Sequence, residues 1–289
     1  MRKWIAALMI LCLMPFALPG GLSEEETPLY TIKDRRVHST YESDTLKYTI
    51  EVMRINRTEE CYLTTVWMQD PARQIKKAIS PWHEALWKAE NIAKKIPDAA
   101  LVINGSGYVS EQYPQIPDNY PGRSKDYYCT PLGSITVVDG EVYRNLEGVP
   151  YYGLTLEADG LHMYVGADNE EVLARNPIQT WSFYEGCPMA VNGEDILDHG
   201  WAFAQRIADR TVICRLKEEN TYLILTTGIR GLSLIDVNAF LLGEYDTEWI
   251  YDLDGGPSTA LLRRKQGQKE LTPLHPGRQR IADVMGFVE

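Results

Sequence analysis

The sequence has few of the residues from which metal and redox centres are built. It contains five cysteines and five histidines among 289 residues. No two cysteines stand as C-x-x-C, which excludes zinc ribbons and thioredoxin-like redox motifs. The histidines are scattered, without the spacing of zinc ligands. We therefore expect neither a metal nor any other cofactor, and the pairing of Cys61, Cys129, Cys187 and Cys214 stays open.

Positive charge is scarce as well. The chain has 29 Lys and Arg against 40 Asp and Glu, which gives a formal net charge of −11 at pH 7. No basic tract interrupts this balance, and a protein of this sign repels nucleic acids and anionic membranes. We expect no nucleic-acid partner and no membrane partner beyond the N-terminal segment, and the oligomeric state is left open.

Long apolar runs are limited to the N-terminus, where Trp4–Leu18 follows Arg2-Lys3 and precedes Pro19-Gly20-Gly21. A basic start, an apolar centre and a small-residue exit are typical of a secretory signal peptide. The run is shorter than the roughly 20 residues of a membrane-spanning helix, although an uncleaved anchor stays an alternative. We therefore predict a signal peptide over 1–23, a flexible leader over 24–44, and a secreted protein.

The remainder, residues 45–289, is expected to form one main domain of the α+β class. Alternating apolar residues predict many short strands, and turn dipeptides such as Asp139-Gly140 predict hairpins between them. Ser80 and Pro81 are typical of a helix start, with Pro97 as its end, and Ser233 is expected to cap a second helix that Gly243 ends. These patterns predict a mixed β-sheet core with several hairpins and at least two packed helices.

The segment Asp252-Leu253-Asp254-Gly255-Gly256-Pro257-Ser258 is the strongest candidate for chemistry. It follows Glu248–Tyr251, whose aromatic and β-branched residues predict a short buried strand. Side chains alternate along a strand, so Asp252 and Asp254 are expected on one side. The two glycines allow a sharp turn that brings backbone N–H groups close to a ligand.

Asn104-Gly105 follows another apolar strand, Ala99–Ile103, that is also preceded by a predicted helix. Because ligand sites often lie beyond the carboxyl ends of strands, we expect one cleft to be lined by Asn104, Arg210, Asp252 and Asp254. Arg210 precedes a further strand and can clamp an anion through its planar guanidinium, or else form a surface salt bridge.

Other interpretations of these segments are weaker. A calcium loop of the EF-hand kind needs a glutamate at its twelfth position, where this chain has Arg263, although an irregular metal site stays open. Gly256–Ala260 approaches the serine nucleophile elbow but lacks its last glycine. The tyrosine- and proline-rich stretch Ser110–Gly133 is either a lid or sugar-stacking surface, or a loop packed on itself.

Taken in order, the motifs resemble the phosphodiester glycosidase family from about Cys61 to the C-terminus. The segments that carry the resemblance are Asn104-Gly105, Gly133–Val138 with Asp139-Gly140, Pro188–Gly193, Arg210–Ile213, Asp252–Ser258 and Arg280–Phe287. Departures include Pro257 and Cys214, where the family usually has glycine, and Asn104–Tyr108, where it has an N-G-G-[FY] run.

The resemblance implies hydrolysis of a sugar-1-phosphodiester at the anomeric carbon, on a cell-surface or extracellular phosphoglycan. It implies catalytic roles for Asp252, Asp254 and Arg210, with a carboxylate stabilising an oxocarbenium-like carbon or activating water. The substrate-binding groups that it implies are Asn104, Gly105, Thr211, Gly255, Gly256 and Ser258. Two alternatives stay open: a non-catalytic glycan-binding surface protein on the same fold, and a serine or metal hydrolase.

The N-terminal pattern yields a prediction about export. Protein recovered outside the cell should begin near Ser23 or Glu24, because Gly21-Leu22-Ser23 has the small-x-small pattern after which a signal peptidase cuts. N-terminal sequencing of the secreted fraction checks this. Recovery from the cytosol alone, with Met1 intact, would contradict it.

Overall fold

The computed structural model describes residues 30–56, 60–109, 127–228 and 230–289. The strands of these residues are β1 (Ile32–Glu42), β2 (Leu46–Ile55), β3 (Cys61–Met68), β4 (Ile75–Ile79), β5 (Ala99–Asn104), β6 (Ile135–Val138), β7 (Glu141–Asn145), β8 (Tyr151–Glu157), β9 (Gly160–Ala167), β10 (Gln179–Ser182), β11 (Pro188–Val191), β12 (Glu194–Asp195), β13 (Thr211–Leu216), β14 (Thr221–Thr227), β15 (Thr247–Asp252), β16 (Leu261–Arg264), β17 (Leu271–His275) and β18 (Asp283–Val288). The helices are α1 (Pro71–Gln74), α2 (Ala89–Ala93), α3 (Asn169–Ala174), α4 (Ala202–Gln205) and α5 (Leu234–Glu244).

Two large sheets dominate the architecture. The first has eight strands in the order β1-β2-β3-β14-β13-β15-β11-β12, and the second has five in the order β17-β16-β5-β18-β4. Smaller sheets join β10-β8-β9 and β6-β7. The predicted α+β class is confirmed. The predicted mixture of parallel and antiparallel strands is corrected, because the strands named above pair with their neighbours in the antiparallel direction.

The main core lies between the two large sheets, as the alternation of side chains along β14 shows. Tyr222 and Ile224 pack in a cluster with Leu101 and Phe287 of the five-stranded sheet. The intervening residues of β14 face the opposite side, where they pack with Phe240 of α5. Because successive side chains of a strand point to opposite faces, one strand contributes to both layers.

The outer face of the five-stranded sheet is covered by α2, whose Ile92 packs with Val102 and Val284. The layers therefore run from α5 through the eight-stranded sheet and the five-stranded sheet to α2. This sandwich buries both faces of the central strands of each large sheet, which explains the continuous apolar run of β5.

The prediction that a helix starts at Ser80 is wrong. The Ser80 hydroxyl donates to the Ile281 carbonyl at 2.7 Å and accepts from the Trp87 N–H at 3.0 Å, so Ser80 stabilises a loop instead of capping a helix. The regular helix begins only after Lys88. The cap at Ser233 is confirmed, since its Oγ accepts from the Asp236 N–H at 3.0 Å.

The leader predicted over 24–44 is also wrong over much of its length. Ile32–Glu42 is a strand that pairs antiparallel with β2 at the edge of the eight-stranded sheet, and Arg35 forms a salt bridge with Glu51 at 2.9 Å. Residues 1–29, which hold the predicted signal peptide, lie outside the described residues. Among the described helices, none combines the length and apolar character that crossing a bilayer requires.

A buried ion pair ties the five-stranded sheet to the neighbouring loops. Lys77 of β4 lies 2.8 Å from Asp283 of β18, and both side chains are 0% exposed. Asp283 also accepts hydrogen bonds from the N–H and hydroxyl of Ser106, and Lys77 donates to the Thr180 carbonyl. Burial lowers the pKa of Lys77, and Asp283 opposes that effect.

We predict that Lys77→Met lowers the free energy of unfolding by about 3–5 kcal/mol, because it leaves the buried Asp283 carboxyl group without its cation. Lys47→Met is the matched control, since Lys47 pairs with Glu42 at the surface and its loss should cost less than about 1 kcal/mol. Chemical denaturation of both variants measures the difference. Equal losses for the two variants would contradict a structural role for the buried pair.

Candidate active site

A cavity of about 510 Å³ opens where strands of both large sheets end. The segments that meet there are the ends of β5, β10 and β15 and the start of β13. The cavity is lined by Tyr108, Phe183, Tyr184, Phe203, Arg206, Ala208, Asp209, Arg210, Asp254, Gly255, Gly256, Pro257, Arg278 and Gln279. Of the nine residues predicted for the site, four belong to this wall, namely Arg210, Asp254, Gly255 and Gly256. The other five lie behind it.

Asn104 holds the loop that carries Asp254. Its Nδ2 donates to the Asp254 carbonyl at 2.6 Å, and its Oδ1 accepts from the Thr211 hydroxyl at 2.8 Å and the Ala260 N–H at 2.9 Å. The Asp254 N–H donates a hydrogen bond to the Gly105 carbonyl at 3.0 Å. The structure thus brings Asn104 and Asp254 together, as predicted. However, Asn104 is 1% exposed, so it positions the loop rather than lining the cavity.

Asp254 presents a carboxylate to the cavity. Burial, together with smaller contributions from the nearby Asp252 and Asp283 carboxylates, raises the pKa of Asp254 to about 7. Hydrogen bonds from the Ser258 hydroxyl and the Gly255 N–H oppose this shift. A carboxyl group with this pKa exchanges a proton near neutral pH, as general acid–base catalysis requires.

Asp252 lies beneath the cavity wall rather than in it. Its side chain is fully buried, and within the described part of the chain neither carboxylate oxygen has a hydrogen-bond partner. The nearest cation is Arg210, whose Nη1 lies 3.7 Å from Asp252 Oδ2. Burial raises the pKa of Asp252 to about 7, although Arg210 opposes the shift.

Arg210 uses most of its donors inside the protein. Its Nε donates to the Leu232 carbonyl at 3.2 Å, and its Nη2 donates to the carbonyls of Phe203 at 2.9 Å and Arg206 at 2.7 Å. The side chain is 1% exposed and pairs with Asp252. Arg210 therefore fixes the loop after α4, and the structure gives no support to its predicted role as an anion clamp.

The backbone donors predicted for an anion are occupied as well. The Gly255 N–H donates to Asp254 Oδ1 at 2.9 Å, and the Gly256 N–H donates to the Asp209 carbonyl at 2.8 Å. Gly256 has a φ of +59°, a conformation that favours glycine, and space is open where a side chain would start. The two glycines therefore shape the wall of the cavity.

Gly105 and Thr211 support this wall from behind. A Cβ on Gly105 would overlap the side chains of Asp283 and Trp181, so only glycine fits this close approach. Thr211 is fully buried, and its hydroxyl is committed to Asn104. Their predicted contact with substrate is therefore corrected to a structural role.

Ser258 does not have the surroundings of a serine nucleophile. It is fully buried, and its Oγ accepts from Gln279 Nε2 at 2.7 Å and lies 3.4 Å from the Tyr108 hydroxyl. The His275 ring contacts the Thr259 carbonyl at 2.7 Å instead of Ser258. Without a histidine to take its proton, Ser258 is poorly suited to attack a substrate, which disfavours the serine-hydrolase interpretation.

An aromatic wall on one side of the cavity was missed by sequence reasoning. The ring centroids of Phe183 and Tyr184 lie 4.0 Å apart, and Tyr184 lies 5.3 Å from Phe203. Trp201 extends the cluster, with its ring centroid 4.7 Å from that of Phe203. Phe183 directly follows the last residue of β10, so the strand-end signal that identified Asn104 also applies there.

Two further arginines, Arg206 and Arg278, reach the cavity and were also missed. Arg278 donates to the buried Asp209 carboxylate at 2.6 Å. Burial raises the pKa of Asp209, and Arg278 opposes that shift. Arg206 is exposed, and its guanidinium lies 4.9 Å from the centre of the Phe203 ring.

The tyrosine-rich stretch and the potential metal ligands lie largely outside the cavity or outside the described residues. Residues 110–126 of the tyrosine-rich stretch fall outside the described residues, and Tyr127 is fully buried. Tyr108, which lies just before the stretch, lines the cavity. The described chain contains one cluster of potential metal ligands, Glu157, Asp159 and His162, away from the cavity. Arg175 already pairs with both of its carboxylates, at 2.9 and 3.6 Å.

Comparison with known proteins adds the following findings. The family model for phosphodiester glycosidases matches residues 97–288. The fold is similar to the zebrafish N-acetylglucosamine-1-phosphodiester alpha-N-acetylglucosaminidase catalytic domain, auto-inhibited by pro-peptide, with a TM-score of 0.62, 18% identity, and coverage of 90% of this chain and 88% of that one. A hypothetical protein from Synechocystis has a TM-score of 0.52, 16% identity, and coverage of 88% and 64%, respectively. No curated protein matches the chain in sequence.

The raised pKa of Asp252 gives a prediction about stability and pH. The folded state binds this proton more tightly than the unfolded state, so the stability it contributes is complete below the unfolded pKa of about 4 and is lost as the pH rises through about 7. Asp252→Asn removes that titration. The variant's free energy of unfolding should therefore fall less than the parent's between about pH 4 and pH 8. Denaturant unfolding at both pH values measures this, and an unchanged difference would contradict it.

Proposed function

The chain belongs to the phosphodiester glycosidase family, and from that premise we propose that it hydrolyses a sugar-1-phosphodiester at the anomeric carbon. The observation that carries the proposal is the Asp254 carboxylate, which faces the cavity beside an aromatic wall and has its pKa raised to about 7. We further propose that the enzyme is exported and acts on a phosphoglycan outside the cell or at its surface.

The proposed reaction breaks the bond between the anomeric carbon and the phosphate oxygen. Water adds to the carbon and loses a proton, and the phosphate leaves as a monoester with the bonding electrons. Because phosphate is a good leaving group, the reaction depends more on stabilising positive charge at the carbon than on a strong general acid. Asp254 is the carboxylate in the described cavity wall with the surroundings to supply that charge or to accept the proton from water.

The two sides of the cavity suit the two parts of such a substrate. Phe183, Tyr184 and Phe203 offer aromatic faces against which the apolar face of a sugar ring can pack. Tyr108 and Gln279 add polar groups that can bind hydroxyls. The zebrafish enzyme is named for its action on an N-acetylglucosamine-1-phosphodiester, and we propose the wider class of sugar-1-phosphodiesters for this chain.

The buried groups around Asp254 act as positioning residues in this proposal. Asn104 fixes the Asp254 carbonyl at 2.6 Å, and the Ser258 hydroxyl and the Gly255 N–H orient its carboxylate. A group held in this way loses little entropy when it acts on substrate. Asp252, which lies beneath the cavity wall, contributes to the raised pKa of Asp254.

A non-catalytic glycan-binding protein is the second candidate. Two observations favour it: the N–H groups of Gly255 and Gly256 are engaged within the protein, and Pro257 stands where the family usually has a third glycine. Under this alternative the aromatic wall binds sugar and no bond is broken. Binding of glycan without turnover by the parent protein would favour it.

The test of the enzymatic proposal is Asp254→Asn, which keeps the shape of the side chain and removes its charge. We expect turnover of a chromogenic sugar-1-phosphodiester to fall about 10²-fold or more, because a group that acts only on the transition state is lost. The melting temperature should not fall, since replacing a carboxyl of raised pKa removes a buried charge. Steady-state kinetics and thermal unfolding on one preparation give both quantities.

Asp246→Asn is the matched control, because the Asp246 side chain is 75% exposed and pairs with Lys217 at the surface. It should retain the parent's turnover. Parental turnover by folded Asp254→Asn would remove Asp254 from the mechanism. Loss of turnover that merely follows loss of folded protein would assign Asp254 a structural role.

A further inference from the structure

Three arginines line the cavity, and two of them are paired with buried aspartates. Arg210 lies against Asp252, and Arg278 donates to Asp209 at 2.6 Å. An arginine beside a carboxylate of this kind has its charge largely balanced inside the protein. These two arginines therefore offer little net attraction to an anion entering the cavity.

Arg206 differs from the other two. It is exposed, and within the described residues it has no carboxylate at salt-bridge distance. Its guanidinium lies 4.9 Å from the centre of the Phe203 ring, which the Arg210 guanidinium also approaches to 4.7 Å, and this contact orients the planar group without neutralising it. Its carbonyl accepts from Arg210 Nη2 at 2.7 Å, so the backbone that carries it is anchored.

The surroundings of Arg206 match a ligand that combines an anion with a ring. Phe203, on which the guanidinium rests, belongs to the aromatic wall of the same cavity. A net charge of −11 makes the protein as a whole repel anions, so an anionic ligand needs a local cation to bind. A guanidinium matches phosphate particularly well, because its planar N–H groups donate to two oxygens at once.

We propose that Arg206 is the group that binds the phosphoryl group of the substrate and thereby selects phosphodiesters over uncharged glycosides. This inference rests on the proposed function and assigns a specificity-determining residue to its site. The sugar lies against the aromatic wall, the phosphoryl oxygens lie on Arg206, and the anomeric carbon between them faces Asp254. The carboxylate and the guanidinium thus act on the two ends of the bond that breaks.

The test uses Arg206→Gln and Arg206→Lys in the full-length protein. Neither change removes a buried contact of the side chain with a carboxylate, and the backbone carbonyl that holds Arg210 is kept in both. Arg73→Gln is the matched control, because Arg73 has an 88% exposed side chain and lies outside the cavity wall. Circular dichroism establishes that each variant is folded.

Calorimetry distinguishes the binding of the sugar from the binding of the phosphate. The three probes are N-acetylglucosamine 1-phosphate, inorganic phosphate and uncharged N-acetylglucosamine. We expect Arg206→Gln to raise the Kd of both anions about 10-fold or more, and Arg206→Lys to raise it less, because the charge remains while the two-pronged hydrogen bonding is lost. The Kd of the uncharged sugar should not change. Arg73→Gln should match the parent with all three probes.

Kinetics provide a second readout. With a sugar-1-phosphodiester as substrate, Arg206→Gln should raise KM more than it lowers kcat, because the contact exists already in the bound substrate. Unchanged anion binding and unchanged KM in this variant would overturn the assignment of Arg206, even if the parent hydrolyses the substrate. Failure of the parent to bind either anion would overturn it as well.

The experiments also distinguish failure of the catalytic proposal from failure of the anion site. If the parent shows no hydrolysis but binds both anions through Arg206, the anion site stands and the catalytic proposal fails. Equal weakening of the uncharged sugar and the anions in Arg206→Gln would show that the residue shapes the aromatic wall rather than binding phosphate, and this too would overturn the inference.

Discussion

The carboxamide of Asn104 joins the two large sheets at the point where the cavity opens. Asn104 ends β5 of the five-stranded sheet, and its three hydrogen bonds reach Thr211 at the start of β13, the carbonyl of Asp254 beyond β15, and the N–H of Ala260. Elsewhere the sheets meet largely through apolar side chains, which are not directional, and through polar contacts far from the cavity such as that of the Tyr48 hydroxyl with the Arg264 carbonyl. The Asn104 contacts therefore set where the ends of these strands lie relative to each other at the cavity, and with them the loop that carries Asp254.

Around that contact the protein buries an unusual amount of charge. Lys77 with Asp283, and Arg210 with Asp252, lie on the protein side of the cavity wall. Burying ions is costly, and pairing them recovers part of the cost without making such pairs better than apolar packing. Their arrangement gives the site its character: charges behind the wall are matched, whereas Asp254 and Arg206 face the cavity. The groups available to a ligand are those that the interior leaves unmatched.

Sequence reasoning located the centre of the site but not its periphery. Asn104 and Asp254 were found because each follows an apolar strand and precedes glycine, a local signal that survives without knowledge of the fold. Phe203 lies in the short helix α4, and Arg206 and Arg278 lie in loops. The sequences of these segments give no such signal, and tertiary contacts alone bring them to the cavity. The same distinction explains the errors in secondary structure. Ser80 has the features of a helix cap, but its hydroxyl bonds Ile281, and Ile32–Glu42 becomes ordered only through pairing with β2.

The hydrogen bonds of Asn104 also affect the chemical stability of its side chain. An asparagine followed by glycine is prone to lose its amide, because the next backbone nitrogen can attack the side-chain carbon and close a succinimide ring. Here the Gly105 N–H is held by the Asp283 carbonyl at 3.2 Å, and the Asn104 carboxamide is held on both ends. The fold thus keeps the two reacting atoms from turning toward each other. Each excursion to the unfolded state removes that protection, and the resulting aspartate would face the Asp254 carbonyl with a negative charge. The chemical lifetime of the site is therefore set by how seldom the chain unfolds.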